Sequence, residues 1–87
     1  MNNRTLPGFW SRYARLPQHV QKLARKNYAL FQRNPDHPSL RFKPLAGQPG
    51  IHSVRIGLHH RAVGLRERDT VHWFWIGSHA DFDKEFG

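Results

Sequence analysis

The chain has 87 residues, no cysteine, and 14 Lys+Arg against 6 Asp+Glu, which gives a formal net charge of +8. A chain of this length has room for one small hydrophobic core, so we expect a single domain over residues 1–87. Because it has no cysteine, it can form neither disulfides nor thiolate metal sites. The positive charge favours a polyanionic or acidic partner. No apolar run is as long as the about 20 residues of a membrane helix, and the N-terminus does not resemble a signal peptide, so we expect a cytoplasmic protein.

The first half of the chain has the apolar periodicity of two helices. The first is predicted to have Thr5 as its N-cap and Pro7 in its first turn. Its apolar stripe consists of Leu6, Phe9, Trp10, Tyr13 and Leu16. The second is predicted from Pro17 to Gln32, and the prolines at positions 35 and 38 end it. Its apolar face comprises Val20, Leu23, Ala24, Tyr28 and either Leu30 or Phe31.

The second half has the alternating pattern and the turn residues of a β-sheet. Extended segments are predicted at Leu40–Leu45, Ile51–Leu58, Arg61–Arg66 and Thr70–Ile76. The last of these is rich in β-branched and aromatic residues on both faces, which predicts an interior strand with Trp73 and Trp75 on a common face. A short acidic helix follows Gly77-Ser78-His79, and its Phe82 and Phe86 are expected to pack on the core.

These elements predict an α+β fold, in which two N-terminal helices pack on a small antiparallel β-sheet and a short C-terminal helix follows. The two helices are expected to cover one face of the sheet. The opposite face would then be free to carry a functional site.

Seven histidines raise the question of a metal site, but their spacing does not support one. His59 and His60 are adjacent, so in a strand they point to opposite faces, and no His-Glu-x-x-His pattern is present. No glycine-rich phosphate loop precedes a helix, and Ser78-His79 lacks the Gly-x-Ser-x-Gly turn of a serine nucleophile. We therefore expect no metal and no cofactor.

Three basic residues lie on or at the ends of successive predicted strands: Lys43, Arg55 and Arg61. Several cations on rigid strands, with guanidinium forks that match two oxygens, suit phosphate binding. For each residue alone, a solvated surface cation is the simpler alternative. The sequence does not decide which way Arg61 points, because it lies two and four residues before Val63 and Leu65, which have the character of core residues. A strand start or a bulge would turn Arg61 outward.

His79 follows the last strand directly, and an imidazole exchanges protons near neutral pH. The alternative is structural, with His79 as the N-cap or a first-turn residue of the final helix. The sequence leaves both interpretations open.

Several short segments, in this order and spacing, resemble the RelE/HigB/ParE superfamily of bacterial toxins. They are Asn34-Pro35-x-His37-Pro38-Ser39-Leu40, Phe42-Lys43-Pro44-Leu45-x-Gly47, Ser53-Val54-Arg55-Ile56-Gly57, His60-Arg61 and Trp73-Phe74-Trp75-Ile76-Gly77-Ser78-His79-x-x-Phe82-Asp83. The resemblance covers nearly the whole chain from Leu16 onward and implies a RelE-like toxin domain. Asn3 to Leu6 is the only segment available for the first strand that some members have.

The resemblance implies the toxin of a type II toxin–antitoxin system, a ribosome-dependent endoribonuclease that cleaves mRNA and so inhibits translation. In this reaction the ribose 2′-OH attacks the adjacent phosphate without a metal, which requires cations, a base and an acid. By position in the family motif, the implied catalytic residues are Arg55, Arg61 and His79, and the implied RNA-binding residues are Lys43, Arg55, His60 and Arg61. The implied partners are a cognate antitoxin protein, the ribosome and mRNA, with no membrane.

One departure from the family concerns Phe82, which stands where many relatives have a tyrosine near the end of the chain. The change removes a candidate proton donor or acceptor and leaves His79 to act without it, or the activity reduced. Two alternatives therefore stay open. One is a ParE-like inhibitor of DNA gyrase, which needs no acid or base, and the other is a non-catalytic module that binds an antitoxin or nucleic acid.

Overall fold

Helices flank both faces of a five-stranded sheet. A computed structural model describes residues 1–87. In chain order the elements are β1 (Asn2–Thr5), α1 (Pro7–Ala14), α2 (Gln18–Arg33), a 3₁₀ helix (Pro38–Leu40), β2 (Lys43–Pro44), β3 (Ile51–Ile56), β4 (His60–Glu67), β5 (Thr70–Ser78) and α3 (His79–Phe86). The predicted α+β class is confirmed. None of the three α-helices has the length and apolar character of a membrane span.

The strand order is β1-β5-β4-β3-β2, so β5 is an interior strand, as predicted. Strands β2 to β5 pair as antiparallel neighbours, which fits their hairpin spacing. The edge strand β1 instead runs parallel to β5, with Asn2 opposite Thr70 and Thr5 opposite Trp73. The expectation of a wholly antiparallel sheet is therefore wrong at this edge, because a parallel pair is joined by a long connection and leaves no turn signal in the sequence.

Three local predictions are corrected at helix ends and turns. Thr5 is not the N-cap of α1: Leu6 has that position, and Thr5 Oγ1 accepts a 2.8 Å hydrogen bond from Trp10 Nε1. The extended segment predicted at 40–45 is reduced to β2, because Arg41 follows the 3₁₀ helix with a left-handed φ of 47°. Strand β3 ends at Ile56, so Leu58, the last residue of the segment predicted at 51–58, lies in the next turn and is 72% exposed.

The main core lies between the sheet and the two N-terminal helices. Helix α2 buries Val20, Ala24 and Phe31, at intervals of four and seven residues that fit one helix face, and the last two belong to this core. The ring of Phe31 meets the ring of Trp73 edge-on, with centroids 5.5 Å apart. Tyr28, which was predicted on this face, is 43% exposed. The buried residues of this cluster are Ala24, Phe31, Leu40, Val54, Ile56, Ala62, Val71, Trp73 and Ile76.

A second, smaller core lies on the opposite face of the sheet, under α3. It consists of Val63, Trp75 and Phe82, and Phe74 and Phe86 pack against it. The predicted packing of Phe82 and Phe86 on the core is confirmed. The expectation of a face free along its whole length is wrong, because α3 covers the part of it beside β4 and β5.

A β-bulge in β5 separates the two tryptophans of that strand. Val63 pairs with Trp75, whereas the next residue, Gly64, pairs with Trp73, so Phe74 is an extra residue. An extra residue reverses the alternation of side chains along the rest of the strand. Trp73 therefore lies in the main core and Trp75 in the core under α3. The prediction that they share a face is wrong for this reason.

Candidate functional site

The hairpin of β3 and β4 holds two arginines directly opposite each other. Arg55 is the register partner of Arg61, and opposite residues of an antiparallel pair lie on the same face of a sheet. Arg61 also shares a face with Val63, two residues farther along β4. Because Val63 belongs to the core under α3, both arginines lie on the α3 face, away from α1 and α2.

His79 completes a cluster with these arginines. Nε of Arg61 donates a hydrogen bond to Nδ1 of His79 over 3.5 Å, and Nη1 of Arg61 donates to Oγ of Ser53 over 3.4 Å. His79 is the first residue of α3, whose N-cap is Ser78. The first-turn interpretation of His79 is thus confirmed, and the same position sets its ring beside Arg61. We call Arg55, Arg61 and His79 the Arg–His patch.

Phe82 supports the guanidinium of Arg61. Its ring centroid lies 5.2 Å from Cζ of Arg61, and the residue is only 8% exposed. A cation over an aromatic face gains about 0.5–1 kcal/mol at a partly exposed site. Phe82 therefore helps to hold the arginine in place, although it has no hydroxyl group.

Like charges crowd around Arg61. Burial, followed by the charges of Arg55 and Arg41, lowers the pKa of Arg61 from its ordinary value, and Asp83 offsets part of this effect. An arginine stays protonated in proteins, so the crowding is relieved when an anion binds. No sequence pattern singles out Arg41, because its left-handed backbone, with a φ of 47°, places it outside any strand.

Lys43 lies on the same face as the Arg–His patch but farther out. It pairs with Ser53 across β2 and β3, and Ser53 pairs with Val63 across β3 and β4, so all three share the α3 face. Lys43 is exposed on the two-residue edge strand. Strand pairing thus brings Lys43, Arg55 and Arg61 to one face.

The structure does not bring His60 to the Arg–His patch. It precedes Arg61 on β4, so alternation places it on the face of the main core, beside α2. Burial, together with the nearby rings of His59 and His19, lowers the pKa of His60 below 6.5. Its predicted contact with RNA would need a second interface on that side of the sheet.

The lowered pKa of His60 predicts that the protein loses stability in acid. Between 6.5 and the lower pKa of the folded state, the unfolded chain binds more protons, so the free energy of unfolding falls as the pH drops below 6.5. Urea unfolding of the wild type and of His60→Gln, at pH values from about 7.5 to about 5.5, measures this. The variant should show the weaker pH dependence. Equal pH dependence in both proteins would show that His60 is not the source.

An apolar groove lies on the other side of the sheet, between β1, α1 and α2. Its volume is about 310 Å³. Trp10 and Tyr28 line it and are 51% and 43% exposed. Arg4 and Arg25 are the charged residues of its lining, which contains no histidine and no carboxylate. The groove therefore offers apolar contact surface with the hydroxyls of Tyr13 and Tyr28 but no histidine beside its arginines, whereas in the Arg–His patch an imidazole contacts a guanidinium directly.

Three solved structures share this fold. One, a RelB-RelE antitoxin–toxin complex from Methanococcus jannaschii, gives a TM-score of 0.77 at 15% identity over 97% of this chain and 99% of that one. The YoeB/ParE toxin from Agrobacterium tumefaciens gives a TM-score of 0.68 at 20% identity, over 91% of this chain and 99% of that one. The toxin–antitoxin complex RelBE2 from Mycobacterium tuberculosis gives a TM-score of 0.68 at 21% identity, over 88% of this chain and 95% of that one. At these identities the likeness establishes the fold alone.

The sequence itself also matches a known family. No match to a curated protein reaches significance. The family of ParE-like toxin domains matches residues 18–84, from the start of α2 into α3, a range that includes the whole Arg–His patch. Because this match spans most of the sequence, the chain belongs to the family of ParE-like toxin domains.

Proposed function

We propose that this protein is the toxin of a type II toxin–antitoxin module, and that it cleaves mRNA on the ribosome without a metal and so stops translation. The observation that carries the proposal is the contact of Arg61 with His79, on the face that also presents Arg55. Attack of a ribose 2′-OH on the adjacent phosphate needs charge neutralisation and proton transfer at neighbouring atoms. The Arg–His patch offers groups for both within a single phosphodiester's reach.

The arginines would hold the phosphate that is cut. Negative charge grows on its non-bridging oxygens as the 2′-oxygen attacks, and a preorganised donor at such oxygens contributes about 3–4 kcal/mol. Arg61 is the better placed of the two, because it contacts His79, whereas Nε of Arg55 donates a 2.9 Å hydrogen bond to the carbonyl of Gly57. Lys43, farther out on this face, and Arg41, whose charge acts on Arg61, would meet the flanking RNA backbone.

His79 would exchange the proton. Its side chain is 48% exposed, so a substrate can reach the ring. Phe82 has no hydroxyl to assist, so the oxygen that leaves the phosphate would take its proton from water. His60 has no part in this proposal, since it lies on the other face of the sheet.

A cognate antitoxin is the proposed protein partner. Residues 1–35, which include α1 and α2, hold seven of the 14 Lys+Arg and none of the 6 Asp+Glu. This concentration of one charge attracts an acidic partner and repels a second copy of the chain. Two of the similar solved structures are themselves complexes of a toxin with its antitoxin, which supports the same kind of partner here.

Inhibition of DNA gyrase is the second candidate function. The observation that favours it is the family match, because that family is named for its likeness to ParE. A gyrase inhibitor acts by binding and needs no proton exchange, so His79 would be dispensable for it. The contact of His79 with Arg61 is the reason that we rank RNA cleavage first.

Addition of the purified protein to programmed ribosomes tests the proposal. We expect mRNA cuts that depend on the ribosome, no effect on supercoiling by gyrase, and a loss of about 10²-fold or more in cleavage for His79→Ala, because a proton acceptor is removed. The control is His19→Ala, which changes an exposed histidine on α2 and should cleave normally.

Two results would contradict the proposal. Intact mRNA together with blocked supercoiling would establish gyrase inhibition instead. Growth inhibition that survives both Arg61→Ala and His79→Ala, without effect in either assay, would indicate the non-catalytic module.

A further inference from the structure

The ring of His79 is held from both sides. Its Nδ1 accepts from Nε of Arg61 at 3.5 Å, and its Nε2 lies 3.4 Å from Oδ2 of Asp83, one helical turn farther along α3. A guanidinium only donates hydrogen bonds, and a carboxylate only accepts them. In the neutral ring the hydrogen must therefore lie on Nε2, which leaves the lone pair of Nδ1 directed at Arg61.

We propose that Asp83 is a positioning residue, which fixes His79 in the Nε2–H tautomer and makes Nδ1 the atom that takes the proton from the ribose 2′-OH. The inference rests on the proposed RNA cleavage and adds to it the residue and the ring atom responsible. Neither follows from the sequence, where Asp83 is one of several acidic residues at the start of a helix.

The contacts of Asp83 distinguish it from the other carboxylates of α3. Asp81 and Glu85 are also exposed on this short helix, but neither places a carboxylate oxygen beside the ring of His79. Asp83 alone does so, and it also counteracts the lowering of the Arg61 pKa. One carboxylate therefore acts on both members of the Arg61–His79 pair.

The same geometry explains how substrate would release the base. In the free protein the lone pair of Nδ1 is occupied by the Nε–H of Arg61. A bound phosphate draws the guanidinium toward its oxygens, since a charged acceptor is the stronger partner. Nδ1 of His79 then faces the nucleophile with its lone pair free.

The proposed step balances as follows. The proton of the 2′-OH passes to Nδ1 of His79 while the 2′-oxygen forms its bond to phosphorus. The bond from phosphorus to the 5′-oxygen breaks, and that oxygen takes a proton from water. The products are a cyclic phosphate and a 5′-hydroxyl end, and Asp83 stabilises the imidazolium until the proton returns to solvent.

Nitrogen-15 shifts of the His79 ring, measured at a pH near 8 where an imidazole is neutral, test the inference without substrate. The wild type should show a protonated Nε2 and a bare Nδ1. In Asp83→Ala only the contact with Arg61 remains, and because 3.5 Å is long for a hydrogen bond, the two ring nitrogens should move toward averaged shifts. Asp83→Glu should restore the wild-type pattern. Cleavage on ribosomes should fall about tenfold in Asp83→Ala and recover in Asp83→Glu.

Asp81→Ala is the matched control, because it removes the same charge from the same short helix and should change neither measurement. Unchanged ring shifts in Asp83→Ala, or an equal loss of cleavage in Asp81→Ala, would overturn the inference. If Asp83→Ala did not fold, the ring shifts of Asp83→Leu, which has a similar shape and no acceptor, would decide in the same way. A wild type that never cleaves mRNA would defeat the proposed function, whereas the ring shifts would still report whether Asp83 fixes the tautomer.

Discussion

Replacement of Arg61 by alanine should lower mRNA cleavage by about 10²- to 10³-fold, the range observed when one preorganised donor is removed from developing charge. Growth inhibition should disappear with it. The loss is expected to be large because this side chain lies opposite Arg55, where the proposed phosphate would bind, and contacts His79. The measurements are the cleavage rate on programmed ribosomes and the survival of cells after induction.

The fold should tolerate this change. Arg61 is partly exposed and makes only two side-chain hydrogen bonds, of 3.4 Å and 3.5 Å. Ser53 is fully buried, so its hydroxyl loses a partner, which costs about 1 kcal/mol. Urea unfolding of the purified variant measures this cost.

Lys22→Ala is the control for the loss of one positive charge. Lys22 is exposed on α2, on the other side of the sheet from the Arg–His patch, and cleavage by this variant should stay near the wild-type rate. If both variants lost activity equally, overall charge and not the position of Arg61 would be responsible. An unfolded Arg61→Ala protein would show that the arginine is structural.

The alternation of apolar and polar residues was enough to predict the part of the candidate site that lies on one hairpin, Arg55 and Arg61. The alternation in β3 and β4 and the short turn between them set Arg55 opposite Arg61. The face of Arg61 stayed open because alternation does not tell which of two cores a residue faces. Val63 is a core residue, as its type indicates, but it belongs to the core under α3. Arg61 therefore shares a face with a buried valine and still reaches the surface.

The predictions that were wrong, and the residues that were missed, depend on contacts between distant segments of the chain. No glycine or other turn residue lies next to Phe74 in the sequence to mark the β-bulge, so alternation alone could not predict that Trp73 and Trp75 lie on opposite faces of the sheet. The packing of α3 on the second face also depends on that bulge, because it turns Trp75 toward Phe82. Asp83 gains its contact with His79 only once α3 is in place.

Replacement of Trp73 by alanine should have the largest effect on stability, about 3–5 kcal/mol. The side chain is 5% exposed and packs edge-on against Phe31. Its Nε1 also donates a 3.0 Å hydrogen bond to Oδ1 of Asn3, which ties β1 to β5. The variant loses apolar contacts, leaves a cavity in the main core and releases an edge strand. A small domain has about 5–15 kcal/mol in total, so this change should remove a large share of the free energy of unfolding.

Trp10→Ala is the matched control, since it removes the same side chain from a position that is 51% exposed. It should cost about 1 kcal/mol or less, mainly through the lost hydrogen bond to Thr5. Denaturant unfolding of both variants gives the comparison. If Trp73→Ala were as stable as Trp10→Ala, Trp73 would not be buried under the helices, and the bulge that puts it there would be absent. Trp75 would then leave the face of Phe82, and the support of Arg61 by α3 would fail with it.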